Sequence, residues 1–262
     1  MRRFPLWLLV FVALVYVFLL TPIVVVVATS VNAGYYLAFP PSGFSLRWYA
    51  AFFNSPSFMT ALVLSLEVAG VAAFFAALIG TPAAMAYVRS RGPFREPFRL
   101  LLLSPLVLPE ILTAIALLFF FNLFFSGLRS LVPLVIGHTV LIVPFVFLTV
   151  TSALYNMPAQ VDEAARTLGA TPGRVFFRVT LPLIKSGIIA GTMLAFIISF
   201  DNVTMSLLLK AIGTSTLPIQ LFDYLRLDFD PTAAAAASIS VVFTLGIVVI
   251  IDRMFGLRAL RF

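Results

Sequence analysis

Residues 155–182 read Tyr-Asn-Met-Pro-Ala-Gln-Val-Asp-Glu-Ala-Ala-Arg-Thr-Leu-Gly-Ala-Thr-Pro-Gly-Arg-Val-Phe-Phe-Arg-Val-Thr-Leu-Pro. This polar stretch stands between two long apolar runs, 131–154 and 183–209. It carries its own helix punctuation. Pro158 suits a first helical position, Asp162 and Glu163 fall early, where the helix dipole favours acids, and Gly169 suits the stop just past a helix end. Thr171 then offers an N-cap with Pro172 behind it, and Pro182 opens the next apolar run. Two short helices joined by a tight turn at Gly169 are predicted. They would protrude from a membrane as a rigid knob suited to a partner. The plain alternative is a helix pair resting on lipid.

The chain around this segment is apolar almost throughout. Of 262 residues, 62% are hydrophobic and 10% charged, and the mean hydropathy is +1.12. A soluble domain is about 45–50% apolar and about 25% charged. The composition therefore excludes a water-soluble enzyme, a disordered chain and a nucleic-acid binder, despite the net charge of +7. A membrane-crossing helix needs about 20 mainly apolar residues. The runs 6–29, 59–87, 100–125, 131–154, 183–209 and 233–251 qualify. They do not alternate apolar with polar, so they are not barrel strands. The expectation is an all-α, polytopic membrane protein with six transmembrane helices.

Orientation follows from the basic residues. With both termini in the cytoplasm, the inner segments hold Arg2, Arg3, Arg89, Arg91, Arg95, Arg99, Arg166, Arg174, Arg178, Lys185, Arg253, Arg258 and Arg261, which is 13 of the 17 bases. The outer loops hold Arg47, Arg129, Lys210 and Arg226. The positive-inside rule selects that arrangement and puts residues 155–182 in the cytoplasm. The first run is too long for a signal peptide and no small-residue cleavage site follows it, so it is expected to stay as a span. In the outer loop, 46–53 pairs Trp48, Tyr49, Phe52 and Phe53 with Arg47. It is expected to be a short helix lying at the outer interface.

Three acids fall inside spans. At about 1.5 Å per residue, Glu110 lies about 16 Å beyond Arg99, Asp201 about 24 Å beyond Lys185, and Glu67 about 15 Å inside Ser57. Such acids face the bundle interior or a wet cavity. Pro105 and Pro109 remove two backbone donors just before Glu110, as in transporter sites built on interrupted helices. For Glu110 and Asp201 two readings stand: they line a cation pathway, or each bonds a hydroxyl, amide or His138 and fixes packing. Glu67 is read as a packing residue. His138 is expected to be hydrogen-bonded within the bundle, because a metal site would want further ligands nearby. No metal site and no catalytic triad is expected. The chain has no cysteine.

Glu163-Ala164-Ala165, then Gly169, then Leu181-Pro182, resembles the EAA motif of ABC importer permeases: Glu-Ala-Ala, three residues, Gly, nine residues, Ile, one residue, Leu-Pro. Six positions are identical, and Val179 stands for Ile. The likeness extends to Ser104-Pro105, Pro109-Glu110-Ile111, Ala114-Ile115, His138-Thr139, Pro144-Phe145-Val146, Ser199-Phe200-Asp201-Asn202-Val203 and Leu217-Pro218. Over about 45–255 the chain is similar to the C-type subunit of spermidine/putrescine permeases. That pattern commonly has two adjacent aspartates in the fifth span, where this chain has Asp201 and Asn202.

The resemblance implies a type I ABC importer permease (MetI-like) fold in a bacterial inner membrane. Residues 1–58 would hold the first span and outer loop, 59–255 the permease core, and 256–262 a cytoplasmic tail. It implies that Asp162, Glu163, Ala164, Ala165, Gly169, Ala170, Leu181 and Pro182 dock on an ATPase and couple its closure to the spans. Glu110, Asp201 and Asn202 would line a pathway for a small cationic or amine-bearing solute. The implied partners are a second permease subunit, two copies of an ATP-binding subunit, a periplasmic solute-binding protein and membrane lipid. The chain itself is read as a non-enzyme without cofactor. A P-loop needs Gly-Lys-Ser/Thr, and the two lysines follow Ile184 and Leu209. ATP and magnesium would therefore belong to the ATPase. A self-contained secondary transporter or channel for small cations is the alternative, against which stands the absence of an internal repeat.

Overall fold

In the computed structural model, residues 5–125, 130–158, 160–228 and 230–255 are described. Arg2, Arg3, Arg129, Arg258, Arg261 and the tail 256–262 lie outside them. The described residues are almost wholly helical, with one isolated bridge between Asn32 and Phe44. In chain order the helices are α1 (Leu6–Ser30), α2 (Arg47–Asn54), α3 (Pro56–Arg89), α4 (Arg95–Val107), α5 (Glu110–Phe124), α6 (Val132–Tyr155), α7 (Gln160–Thr167) and α8 (Pro172–Val175). A π-helical turn (Phe176–Thr180) follows, then α9 (Leu181–Phe200), α10 (Thr204–Leu209), α11 (Leu217–Leu227) and α12 (Thr232–Phe255). Contacts divide the chain into two units, 1–60 with 220–243 and 61–219 with 244–262.

In the first unit, α1 leaves its apolar side chains exposed and buries only Thr29 and Ser30. The short α2 was expected to spend its aromatic rings on the interface. Instead Trp48 and Phe52 are buried. The indole of Trp48 donates to Asn32 O at 2.8 Å, and Tyr49 Oη bonds Ser30 Oγ at 2.7 Å. Arg47 lies over the rings of Tyr35 and Trp48, 4.2 and 4.4 Å from their centroids. A buried indole needs a partner for its N–H, and that need draws the helix inward.

The second unit is built around α6. Leu134, Ile142, Val146, Phe147 and Val150 on this helix are buried. The helix α9 approaches it through glycine. A Cβ at Gly187 would meet Ala153 Cβ at 2.6 Å, and one at Gly191 would run into Thr149 Oγ1. Small residues allow backbones this close where lipid gives no hydrophobic drive to association.

Two expected spans are broken. The run 100–125 becomes α4 and α5, bent by 102°. Leu108 between them is extended, with ψ 142°, because the residue before a proline is barred from the helical region and Pro109 has no N–H to continue the ladder. The run 183–209 stops at Phe200 and resumes as α10. In the other direction, the fifth span does not begin at Pro182. Residues Pro172–Phe200 form one continuous apolar helix. The π turn absorbs the donor that Pro182 lacks, with Leu181 N–H donating to Phe176 O. The helix α11 was not expected; its first N–H, on Leu217, is held by Ser65 Oγ at 2.7 Å.

Candidate functional site

The two helix breaks meet. Glu110 occupies the first turn of α5, where exposed N–H groups favour a negative charge. Its Oε1 accepts from Asn202 Nδ2 at 2.6 Å. The other end of the amide, Asn202 Oδ1, accepts from Met205 N at 2.8 Å. Asn202, just before the cap position of α10, therefore holds an N–H of that helix's first turn and grips Glu110 with the same group. It is 9% exposed. Asp201 turns elsewhere: it is exposed, and its Oδ2 stands 3.5 Å from Thr244 Oγ1 of α12. Of the three expected pathway residues, Glu110 and Asn202 are brought together, while Asp201 has a different partner.

Behind the junction lies a brace that spacing did not reveal. His138 of α6 is buried, 1% exposed. Its Nδ1 bonds Ser199 Oγ at 2.7 Å and its Nε2 bonds Ser206 Oγ at 3.2 Å. Ser199 lies in the last turn of α9 and Ser206 in α10, so one imidazole spans the interruption. The expectation that His138 is bonded within the bundle holds. Its two serines, seven residues apart, gave no sequence signal as a pair. Thr113, one turn beyond Glu110, has a buried hydroxyl without a partner.

The second site is the knob. The helix α7 has Asp162 and Glu163 in its first turn and Arg166 in its last. Gly169 has φ +82°. Its N–H donates to Arg166 O at 2.9 Å, and Ala170 N–H donates to Ala165 O at 3.1 Å. This pair of bonds is the Schellman closure of a helix end. Pro172 follows as the first residue of α8, after an extended Thr171. Glu163, Ala164 and Gly169 are exposed, and Ala165 and Ala170 half-buried. Leu168 is 88% exposed, an apolar side chain left in the open at the tip. Leu181 and Pro182 lie past the π turn at the start of α9.

Asp162 ties the knob to the spans. Its Oδ2 pairs with Arg89 Nη2, at the end of α3, at 2.9 Å. Its Oδ1 accepts from Thr180 Oγ1, the last residue of the π turn, at 3.1 Å. One carboxylate thus holds α7 against two spans. Arg89 and Thr180 belong to no motif, and nothing in their spacing pairs them with Asp162.

The family described as "Binding-protein-dependent transport system inner membrane component" matches residues 76–259. The chain is 33% identical over 240 residues to the putrescine transport system permease protein PotI of Escherichia coli (strain K12), covering 89% of this chain and 85% of that one. It is 30% identical over 240 residues to the spermidine/putrescine transport system permease protein PotC of Haemophilus influenzae, covering 92% and 93%. The molybdenum transport system permease protein ModB of Mycobacterium tuberculosis is 34% identical over 233 residues, covering 82% and 88%. Among solved structures, a bacterial ABC transporter that imports the acidic polysaccharide alginate superposes with a TM-score of 0.72 at 16% identity, over 95% of this chain and 94% of that chain.

Proposed function

We propose, from the premise that the chain belongs to the binding-protein-dependent transport system inner membrane component family, that it is one half of the pathway of an ATP-driven importer for a small amine-bearing cation of the polyamine class. The chain is a multi-pass inner-membrane protein with the fold of type I ABC importer permeases. In this reading both termini and the knob lie in the cytoplasm. A second six-span permease completes the pathway, and a periplasmic binding protein delivers the solute. Two ATPase subunits hold ATP and magnesium and engage Glu163, Ala164, Ala165, Gly169 and Ala170. Asp162, Leu181 and Pro182 connect that contact to the spans.

The observation that carries the substrate class is the Glu110–Asn202 junction. A carboxylate at membrane depth, with an amide as its recorded partner, keeps its negative charge available to a cation. An oxyanion such as that handled by a molybdenum permease would want bases there. The helices α5, α9 and α10 carry one, Lys185, about 24 Å along the helix from Asp201. Asn202 in place of a second aspartate lowers the local charge and suits a diamine or small amine. The test is ATP-driven uptake by the assembled complex in vesicles, comparing putrescine, spermidine and molybdate. Amine uptake that falls with Glu110→Gln at unchanged complex yield is expected. Uptake of molybdate alone, or losses that follow yield, would overturn the reading.

A further inference from the structure

The knob stands in the chain between α6 and α9, so both of those spans follow it through the backbone. The helices α3 and α4 have no such link. Yet α4 leads through the bend at Leu108 to Glu110, while α9 leads through the break after Phe200 to Asn202. The Glu110–Asn202 bond therefore joins a helix that follows the knob directly to one that the knob must reach through space.

Two arginines make that reach, one on each side of the 90–94 connection. Arg89, the last residue of α3, holds Asp162 of the knob at 2.9 Å. Arg95, the first residue of α4, goes to other partners. Its guanidinium carbon lies 4.6 Å from the centroid of the Tyr87 ring in α3, within cation–π range. Its Nη2 donates to Oη of Tyr155, the last residue of α6, at 2.6 Å. Tyr87 is buried, and its ring centroid is 5.5 Å from that of Phe147 in α6. Arg95 thus fastens α4 to both α3 and α6. It does not take the ion pair that a neighbouring acid could offer: Glu96 faces Tyr87 Oη at 3.5 Å and Arg99 at 3.6 Å. A planar cation stacked on one tyrosine and bonded to another fixes direction as well as distance. The rest of α4 is lightly held. None of its residues is fully buried, and Phe98, Leu102 and Leu103 rest partly covered against the core. The position of this helix of about 20 Å is therefore set mainly at its ends, by Arg95 at one and by the Glu110–Asn202 bond past the other.

We propose that Arg95 is a positioning residue for coupling: it makes α4 move with α3 and α6, so that a displacement of the knob, received by α3 through Asp162 and Arg89, reaches Glu110 in step with Asn202. The assignment rests on the reading of the knob as the ATPase contact and adds to it the route by which α4 and α5 are engaged. Without Arg95 the knob still carries α9 and Asn202 but leaves Glu110 behind. The two sides of the junction then move out of step, and ATP is hydrolysed without moving solute.

The test uses the assembled transporter in proteoliposomes, with putrescine-loaded binding protein, and reads uptake and ATP hydrolysis side by side. Arg95→Met removes the cation and keeps the length. Tyr155→Phe removes one hydroxyl from a residue that is 57% exposed, a change of small structural cost. The expected result in both is full complex yield, retained ATP hydrolysis and an unchanged KM for putrescine, with less uptake per ATP. The ratio should fall about tenfold in Arg95→Met, within the range of coupling between distant sites, and less in Tyr155→Phe. Arg95→Lys, which keeps a cation over Tyr87, should recover part of the loss. An arginine that only stabilised the fold would lower yield, hydrolysis and uptake together and leave the ratio unmoved. An unchanged ratio in Arg95→Met overturns the proposal, as does a raised KM at unchanged ratio, which would put Arg95 on the solute path. If Arg95→Met does not assemble, the ratio in Tyr155→Phe decides. If the unmodified complex moves molybdate in place of putrescine, the amine reading falls, and the same ratios read with molybdate still decide the clamp; if it moves neither, both fall.

Discussion

Replacing Asn202 with aspartate puts the sharpest strain on the proposed junction. The amide donates to Glu110 at 2.6 Å; an aspartate of the same shape sets two carboxylates face to face. Relaxed to about 4 Å, two unit charges repel by about 4 kcal/mol at an effective dielectric near 20. The pair can instead share a proton, which restores a hydrogen bond. Holding a proton at pH 7 on a carboxyl that ordinarily titrates near pH 4 costs about 4 kcal/mol. The two routes give the same figure. The bond from Met205 N–H survives, because aspartate also accepts, so the hold on the start of α10 is not part of the loss.

Asn202→Asp is therefore expected to destabilise the solubilised chain by about 2–4 kcal/mol at pH 7, with screening by nearby water setting the lower figure. The loss should shrink as pH falls towards 5, because the shared proton then costs only about 1.4 kcal/mol. The double variant Glu110→Gln with Asn202→Asp exchanges donor and acceptor while keeping one negative charge. It should recover most of the stability and, if the site needs one charge in either position, most of the transport. A thermal-unfolding cycle over the four chains at pH 7 and pH 5, with uptake measured on each, reads both. An aspartate tolerated within about 0.5 kcal/mol at pH 7, or single effects that simply add, would refute a closed hydrogen bond. It would indicate that water separates the two groups.

Gly169→Val forces a β-branched residue to φ +82°, at a local cost of about 1–3 kcal/mol. Insertion and permease pairing should persist while substrate-stimulated ATPase activity is lost, and unchanged stimulation would count against coupling through the knob. Gly191→Leu drives a side chain into Thr149 and Val146 and should cost about 1–3 kcal/mol or more, seen as a lowered melting temperature; an unaffected melt would mean that α6 and α9 are further apart than described. His138→Leu leaves Ser199 and Ser206 without their shared partner, at about 1–3 kcal/mol for each buried hydroxyl left unpaired. It should raise KM and lower stability together, with His138→Gln a partial rescue; a KM change at full stability would argue that the imidazole contacts solute instead of bracing the break.

What the sequence made legible was local. The Schellman end at Gly169 needs one glycine, and its bonds reach only to Arg166 and Ala165, so spacing alone locates it. The cause of the bend at Leu108 is as local, since Pro109 dictates it, but the run 100–125 is apolar enough to be expected as one span, and the 102° break was not anticipated. The break after Phe200 was hidden, because the run from 183 to 209 is apolar enough to pass as one span. An asparagine inside such a run has two uses, holding the start of a new helix or bonding a distant group. Asn202 does both, and its second partner lies 92 residues away. The same distance problem hid the bonds of Asp162 to Arg89 and of Ser65 to Leu217, 73 and 152 residues apart. Glu67 is the converse case. A carboxylate in an apolar run signals burial or water equally, and the choice depends on which face of α3 its neighbours leave open. That face opens beside Gly70 because nothing there projects to fill the space. The residue type shows that a charge must be answered; only the packing shows that no recorded bond among the described residues answers it.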